Sequence, residues 1–429
     1  MNTTIRSVIG RRIWDSRGRP TVEVEVELSS GVRGRGIAPA GASRGSHEAI
    51  DLRDGGRALG GWGIDHALGS VNGPIAAALR GRDSAHQSDV DQQLIELDGT
   101  RTKSKLGGNA TIATSLAVLD AAARARGLPL WRHLAGDADV RLPLPQIQIF
   151  GGGAHAGRRI DIQDLLVMPL DATSFDEAMV MTAEVYRAAG ERMERLGRRM
   201  GVADEGGWWP AFSSNEEAIE TLAASIEDAG YRNGEVAIAL DVAASEFGRE
   251  GRYTLALENR AYDTESWLRI LEGWVRRYPI VSVEDPVAED DVEGMRAFTS
   301  AVGARVQVIG DDYLVTDADR VRAAAADGAC NAVLLKPNQA GTITETVAAM
   351  RAAKGLGWGT IVSARSGETE DVAIAHLAVG WDAGQLKVGS FSRSERMAKW
   401  NEALRIESQM GSAARYAGRS ALSRSVGVA

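Results

Sequence analysis

Short apolar stretches recur in the second half of the chain at intervals that fit one β-strand plus one helix, and five of them end in a charged residue. The stretches read VAIALD, IVSVE, VQVIGD, AVLLK and QLK. Their last residues are Asp241, Glu284, Asp311, Lys336 and Lys387. The intervals are 43, 27, 25 and 51 residues, and TIVSAR divides the last one at Ser363 into 27 and 24. This period predicts a barrel of alternating strands and helices, which needs about 250 residues.

Charged residues at the carboxyl ends of barrel strands converge on one mouth, where barrel active sites are built. The five charges therefore predict a site with three carboxylates and two ammonium groups. For each charge taken alone, the alternative is a solvated position in a loop. Their agreement with the strand period favours a shared site, because buried charges need partners or metal ions.

The first 137 residues are organised differently and predict a smaller domain. IRSVIGRRIW and PTVEVEVEL are typical of two strands, and the second alternates strictly between apolar and polar residues. A third short strand over residues 32–38, a Gly/Ser loop and helical patterns follow. We expect an α/β protein with an N-terminal α+β capping domain over residues 1–137 and a barrel domain over residues 138–429.

The composition excludes several functional classes. The 429 residues carry a net charge of −9 and no basic run, which argues against nucleic acid as a partner. No apolar run approaches the roughly 20 residues that span a bilayer, and the N-terminus lacks a signal-peptide pattern. The single cysteine, Cys330, excludes an internal disulfide framework and a cysteine metal cluster. We expect a cytoplasmic protein without membrane contact.

Three carboxylates in a mouth of low dielectric repel one another unless a cation neutralises them. Hard oxygen ligands without Cys or paired His suggest Mg²⁺. Its charge would hold an anionic substrate and lower the pKa of a neighbouring lysine, which could then remove a proton alpha to a carboxylate. Glu205, in the Gly-flanked turn VADEGGWWP, is a candidate acid for a leaving group, and an ordinary turn is the alternative.

Motifs spread from residue 12 to beyond residue 400 resemble the enolase family. They include WDSRGRPTVEVEV, GASRGSHEA, GGAHAG, DEGGWWP, VEDP, LLKPNQ, SGETED and RSERMAKWN. The resemblance covers essentially the whole chain. It implies an enolase-type (β/α)8 barrel with a smaller N-terminal domain, two Mg²⁺ ions per active site and a homodimer or higher homo-oligomer. The implied reaction is dehydration of a 2-phosphoglycerate-like substrate, a small anionic phosphorus-containing carboxylate, to an enolpyruvate product.

The resemblance also implies catalytic roles at five positions. Lys336 matches the base, and Lys387 matches the second lysine, which holds the enolate. Glu205 matches the carboxyl group that assists loss of hydroxide, and Asp164 stands at the place of a family glutamate. His155 matches a loop histidine that closes over the substrate.

Metal and substrate contacts are implied in the same way. The matching ligands of the first Mg²⁺ are Asp241, Glu284 and Asp311, and Ser43 matches a ligand of the second. Arg365 and Ser366 match residues that bind the phosphate. The other positions expected to border the substrate are Gly41, Ala42, Arg44 and Ala364.

The chain departs from the family's motifs around the expected substrate. The family writes SHRSGETED where Ala364 replaces the histidine, and SGASTG where Arg44 replaces the threonine. Its NGGSHAG becomes GGGAHAG, which introduces Gly151 and Ala154, and its QE carboxylate is the shorter Asp164.

These departures have two interpretations. One is neutral drift in a housekeeping enolase that acts on 2-phosphoglycerate. The other, which we favour, is the same dehydration of an altered substrate, because several lost polar contacts would otherwise weaken transition-state binding. The space left at Ala364, Ala154 and Gly151 and the cation at Arg44 would suit a bulkier or more anionic group on phosphorus.

The enolase homologue of phosphinothricin-type antibiotic biosynthesis, which forms carboxyphosphonoenolpyruvate, fits this description. Two further alternatives are a catalytically silent enolase-fold binding protein and an acid-sugar dehydratase. The retained carboxylates and lysines argue against the first. The Arg365–Ser366 pair and the Ser43 loop argue against the second.

Overall fold

The computed structural model, which describes residues 2–232 and 234–422, begins with an antiparallel three-stranded sheet followed by helices. The strands are β1 (Ile5–Trp14), β2 (Pro20–Leu28) and β3 (Arg33–Ile37). The helices are α1 (Asp65–Ser70), α2 (Ala76–Leu79), α3 (Gln87–Asp98), α4 (Gly108–Ala125) and α5 (Leu130–Ala135). Helix α4 packs closely on β3 because Gly34 and Gly36 have no Cβ, which would collide with the helix backbone. The predicted division between residues 137 and 138 falls between α5 and the next strand, and it stays a prediction.

The rest of the described chain alternates strands and helices. Its strands are β4 (Leu144–Gly151), β5 (Asp164–Pro169), β6 (Val236–Asp241), β7 (Gly248–Arg249), β8 (Arg252–Leu255), β9 (Arg260–Asp263), β10 (Ile280–Glu284), β11 (Gln307–Gly310), β12 (Ala332–Leu335), β13 (Gly359–Ser363) and β14 (Gly384–Ser390). Its helices are α6 (Phe175–Arg195), α7 (Asn215–Asp228), α8 (Thr264–Arg277), α9 (Val292–Val302), α10 (Ala318–Asp327), α11 (Pro337–Ala340), α12 (Ile343–Gly355), α13 (Ala373–Gly380) and α14 (Ser394–Met410). Strands β7, β8 and β9 form a separate small sheet.

Eight strands close a barrel in the order β4, β5, β6, β10, β11, β12, β13 and β14, which confirms the predicted fold class. Strand β5 is the exception to the regular strand–helix period, because it is antiparallel to both β4 and β6. It therefore starts at the rim where its neighbours end. Asp164, its first residue, pairs with Gly151 and Asp241, the last residues of those neighbours.

Strand β14 differs from the sequence prediction, which ended it at Lys387. The strand continues to Ser390 because β4 extends beyond that point and offers further partners. Gly389 pairs with Ile147 and Ser390 with Gln148, after an irregularity that follows Lys387. Lys387 still lies at the rim, beside Ser363 of β13.

Amide side chains fill the barrel interior below the rim. Gln146 donates to Gln385 at 2.8 Å, and Gln385 and Gln307 exchange hydrogen bonds of 2.8 and 3.1 Å. All three are buried. These hydrogen bonds satisfy the buried amides, so the barrel below the rim is a packed core rather than a channel. No helix in the described ranges has both the length and the apolar character that crossing a lipid bilayer requires.

Candidate active site

The barrel rim brings together the five charged residues that the strand period predicted. Lys387 Nζ donates to Asp241 at 2.7 Å and to the two oxygens of Glu284 at 3.0 and 2.9 Å. Lys336, directly after β12, donates to Asp311, directly after β11. All five side chains are buried. We call these five residues the lysine half of the site.

The charged groups of the lysine half shift one another's pKa values. Burial raises the pKa of Glu284 and the neighbouring Asp241 raises it further, to well above its usual range. Burial alone would lower the pKa of Lys387, but Asp241 and Glu284 outweigh it and raise that pKa. In the same way Asp311 raises the pKa of Lys336 against the effect of burial. The carboxylates therefore keep both lysines protonated.

The donor set fits a hard divalent cation. Asp241, Glu284 and Asp311 end or follow the neighbouring strands β6, β10 and β11, and they offer only carboxylate oxygens. Among the described residues, Asp285, Asp311 and Asp312 form one set of three whose ligand oxygens all lie within 4.8 Å of one another. Oδ1 of Asp312 is buried without a hydrogen-bond partner. Carboxyl groups at this rim thus outnumber the two lysines.

A second cluster lies beside the lysine half and is centred on a buried imidazole. His155 Nδ1 lies 3.0 Å from Oδ1 of Asp164, and Nε2 lies 3.0 Å from Oγ of Ser366 and 3.6 Å from Oε1 of Glu205. Asp164 Oδ2 also lies 3.6 Å from Lys387 Nζ. We call His155, Asp164, Glu205 and Ser366 the histidine half of the site.

The positive charge of the His155 imidazole compensates the carboxylates of the histidine half. Burial alone would lower the pKa of His155, but Glu205 and Asp164 outweigh it and raise the pKa to about 9. Burial alone would raise the pKa of Asp164, but His155 and Lys387 hold it well below its usual range. At neutral pH the cluster thus contains an imidazolium between carboxylates.

The loop that carries Ser43 closes on the expected phosphate-binding residues. The Arg365 guanidinium donates to Glu48 at 3.0 Å, to Asn338 at 3.1 Å and to the carbonyl of Ser43 at 3.0 Å. Ala42 N–H donates to Ser366 Oγ at 3.3 Å. Position 41 has room only for glycine, because a Cβ there would collide with the Arg365 guanidinium.

One small cavity borders both halves. Its lining includes Lys336, Lys387, Asp164, Glu205, His155, Ser43, Ala364, Arg365 and Ser366. Ala364 is thus at the cavity wall, as the sequence predicted. Two lysines, an acid cluster and an arginine all face this one small space.

Three predicted substrate neighbours lie elsewhere. The Arg44 guanidinium donates to Asp51 at 2.8 Å and its side chain is 38% exposed, so in this loop conformation it adds no cation to the cavity. Gly151 leaves no space for a ligand, because a Cβ there would lie 2.7 Å from the Cβ of Ala203. Ala154 does not line the cavity either. The expectation that these positions widen the substrate pocket is therefore wrong for Gly151 and Ala154.

Several functional residues escaped the sequence analysis. Gln163 donates to Asp241 at 3.1 Å, and Glu48 binds Arg365. Asp285 accepts from the backbone N–H groups of Asp311 and Asp312 at 2.9 and 2.8 Å. Burial and Asp311 raise the pKa of Asp285 to about 8. The doubled acids in VEDP and GDD were the available signal for Asp285 and Asp312.

The fold and the site define an eight-stranded barrel protein whose rim brings two buried lysines beside an acid cluster. The family model described as "Enolase, C-terminal TIM barrel domain" matches residues 139–425, and "Enolase, N-terminal domain" matches residues 5–134. "Enolase 1" of Desulfitobacterium hafniense (strain Y51) is 48% identical over 416 residues, which are 96% of this chain and 95% of that protein. The chain belongs to the enolase family and is an enolase-like hydro-lyase. The family uses Mg²⁺, in agreement with the donor set.

Proposed function

We propose that this protein dehydrates a 2-phosphoglycerate-like substrate to an enolpyruvate product by removing the proton alpha to its carboxylate. One observation carries the proposal. Both ammonium groups of the lysine half and the His155–Asp164–Glu205 cluster line a single cavity. A substrate in that cavity would be within reach of a base and of an acid at the same time.

Lys336 is the proposed base, and Lys387 is proposed to stabilise the negative charge that develops on the substrate carboxylate. Asp311 keeps Lys336 protonated, so the influence of that carboxylate has to be reduced before the amine can accept a proton. Mg²⁺, when bound, supplies positive charge that does this and attracts the substrate carboxylate. We propose two ions, one held by Asp241, Glu284 and Asp311 and one held by Ser43.

Glu205 is proposed to assist the departure of the hydroxyl group. It is buried, and His155 holds a proton within 3.6 Å of it. Asp164 orients His155 through the hydrogen bond between Oδ1 and Nδ1. The imidazolium therefore lies between Asp164, with which it shares a hydrogen bond, and Glu205, whose Oε1 is 3.6 Å from Nε2.

Arg365 and Ser366 are proposed to bind the phosphorus group. Ala364 lines the cavity beside them. Because alanine is smaller than the family's histidine, we propose that this position accommodates a substrate with an additional carboxylate on phosphorus, such as carboxyphosphonoglycerate. Its product would be carboxyphosphonoenolpyruvate, as in phosphinothricin-type antibiotic biosynthesis. Plain 2-phosphoglycerate is the second candidate, and it is supported by the pairing of Arg44 with Asp51, which leaves no additional cation in the cavity.

We further propose, from family membership, a homodimer or larger homo-oligomer that works in the cytoplasm. A catalytically silent binding protein is the remaining alternative. The buried lysines argue against it, because burying two ammonium groups and five carboxylates in one site is costly for a protein that does no chemistry.

The experiment follows the absorbance of the enol product with 2-phosphoglycerate and with carboxyphosphonoglycerate, each with Mg²⁺ and with EDTA. We expect turnover with Mg²⁺ only, and a higher kcat/KM for carboxyphosphonoglycerate. Faster turnover of 2-phosphoglycerate would reject the specialised substrate and keep the reaction. No turnover of either substrate, together with no Mg²⁺-dependent rise in Tm, would favour the silent protein.

A further inference from the structure

Gln148 is a buried amide that contacts both sides of the histidine half. It lies on β4 and is fully buried. Its Nε2 donates to Oδ1 of Asp164, and its Oε1 accepts from the backbone N–H of Gly207 at 2.9 Å. Gly207 is two residues after Glu205. One side chain therefore holds both the Asp164 carboxylate and the loop that carries Glu205.

Two glycines provide the space for this amide. A Cβ at Gly207 would collide with Oε1 of Gln148, and a Cβ at Gly151 would lie 3.0 Å from the same atom. Neither glycine has a positive φ, so the requirement is for space rather than for backbone freedom. The room at Gly151, where the family's motif has Asn, is thus filled by Ala203 and Gln148 instead of by a ligand.

The hydrogen bond from Gln148 matters because other groups compete for the Asp164 carboxylate. Oδ1 accepts from Gln148 and contacts His155 at 3.0 Å, while Oδ2 lies 3.6 Å from Lys387. Without the amide, nothing but His155 holds the carboxylate away from the ammonium group. A carboxylate turned toward Lys387 would leave His155 without the partner that orients it.

We propose that Gln148 is a positioning residue for the loss of hydroxide, through its hold on Asp164 and on the Glu205 loop. It does not contact Lys336, so removal of the alpha proton does not depend on it. Gly151 and Asp164, two departures from the family's motifs, then form one coupled arrangement with Gln148. The inference rests on the proposed function, in which Lys336 removes the proton and Glu205 assists the leaving group.

The test compares two buried amides on the same face of β4. Q148M keeps the length and approximate volume of the side chain and removes its hydrogen bonds. Q146M is the matched control, because Gln146 is equally buried and bonds Gln385 rather than a site residue. The substrate is whichever of the two candidates the parent protein turns over. NMR in D₂O measures exchange of the alpha proton of this substrate, and absorbance measures formation of the enol product.

We expect Q148M to slow product formation about 10²-fold while exchange changes less than about threefold, because the misplaced groups act after proton removal. Q146M should leave the ratio of the two rates unchanged. A Q148M protein in which both rates fall together, or in which neither falls, overturns the inference.

If Q148M does not fold, Q148N replaces it. Its amide is one methylene too short to reach both partners, so we expect the ratio of exchange to product formation to rise about tenfold. An unchanged ratio overturns the inference. If the parent protein shows neither exchange nor product formation with either candidate substrate, the proposed function itself is overturned. Failure of the inference and failure of the proposed function are therefore distinguishable.

Discussion

The two halves of the site are built on different parts of the fold. The lysine half lies in or directly after strands, and strand pairing places Glu284 beside Asp241. In the histidine half only Asp164 is on a strand, His155 is in a short 3-10 helix, and Glu205 and Ser366 are in loops. The departures from the family's motifs fall in the histidine half and beside it: Gly151 and Asp164 are at strand ends, and the others are outside strands. Sheet register thus fixes the proton-removing part, whereas strand ends and loops allow the part that faces the leaving group and phosphorus to change.

The K336A variant should show the largest effect, because it tests whether the lysine half removes the proton. If the lysine half removes the proton, the variant should lose about 10³-fold in kcat, which is the range expected for a general base. The measurement is kcat for enol formation, with circular dichroism to confirm folding. K105A is the control, because Lys105 is exposed on the N-terminal domain. A K336A protein as active as the parent would place the base elsewhere.

The imidazole of the histidine half should make the stability of the protein depend on alkaline pH. The folded pKa of His155 is about 9, above the value of about 6.5 for an unfolded histidine, so the folded state binds the additional proton. This stabilisation is complete below pH 6.5 and is lost as the pH rises through 9. The loss should amount to about 3 kcal/mol, because each pKa unit is worth about 1.4 kcal/mol.

Thermal unfolding of the parent and of H155Q between pH 6 and pH 9.5 tests this pH dependence of stability. The groups that face His155 are Asp164, Glu205 and Asp241. Subtracting the H155Q profile removes titrations common to both proteins. The difference in Tm should shrink as the pH rises, and H86Q, at an exposed histidine, should keep the parent's profile. Parallel profiles for the parent and H155Q would contradict the proposed imidazolium.

The strand period was enough to predict most of the lysine half. Asp241, Glu284 and Asp311 follow from the rule that parallel strands end at one rim. The antiparallel direction of β5 could not be predicted in this way, because an apolar strand reads the same in either direction. The resemblance to the family was needed to place Asp164 in the site, and the structure shows why its position at the start of a strand is compatible with that rim.

The histidine half shows what the sequence does not reveal. Removing a side chain in a motif does not create space at a ligand when another side chain fills the gap, and Gln148 does this at Gly151. A new charge in a loop does not face a ligand when a closer partner exists, and Asp51 is that partner for Arg44. Both outcomes depend on contacts between residues far apart in the chain, which motif comparison does not include.

The A364H variant tests whether the residue beside the expected phosphorus group decides the substrate preference. Returning the family's histidine would fill cavity space beside Arg365 and should shift kcat/KM toward 2-phosphoglycerate by about tenfold, since such pocket changes are worth about 1–3 kcal/mol. The measurement is the ratio of kcat/KM for the two candidate substrates. A154S is a matched control, because Ala154 also departs from the motif and does not line the cavity. Equal shifts in both variants would show that the cavity wall does not decide the substrate.

R44T should have the smallest effect, and it tests whether a loop departure can be neutral. The guanidinium pairs with Asp51 in a partly exposed position, and exposed ion pairs contribute about 1 kcal/mol or less. Asp51 also keeps a second cation, Arg53, at 2.9 Å, so its charge stays compensated in the variant. We therefore expect KM and Tm close to those of the parent, with KM changed less than about threefold for either substrate. A rise in KM of tenfold or more for carboxyphosphonoglycerate alone would mean that Arg44 leaves Asp51 to bind the substrate. The difference between the halves would then extend to a loop residue that reaches the cavity only with substrate present.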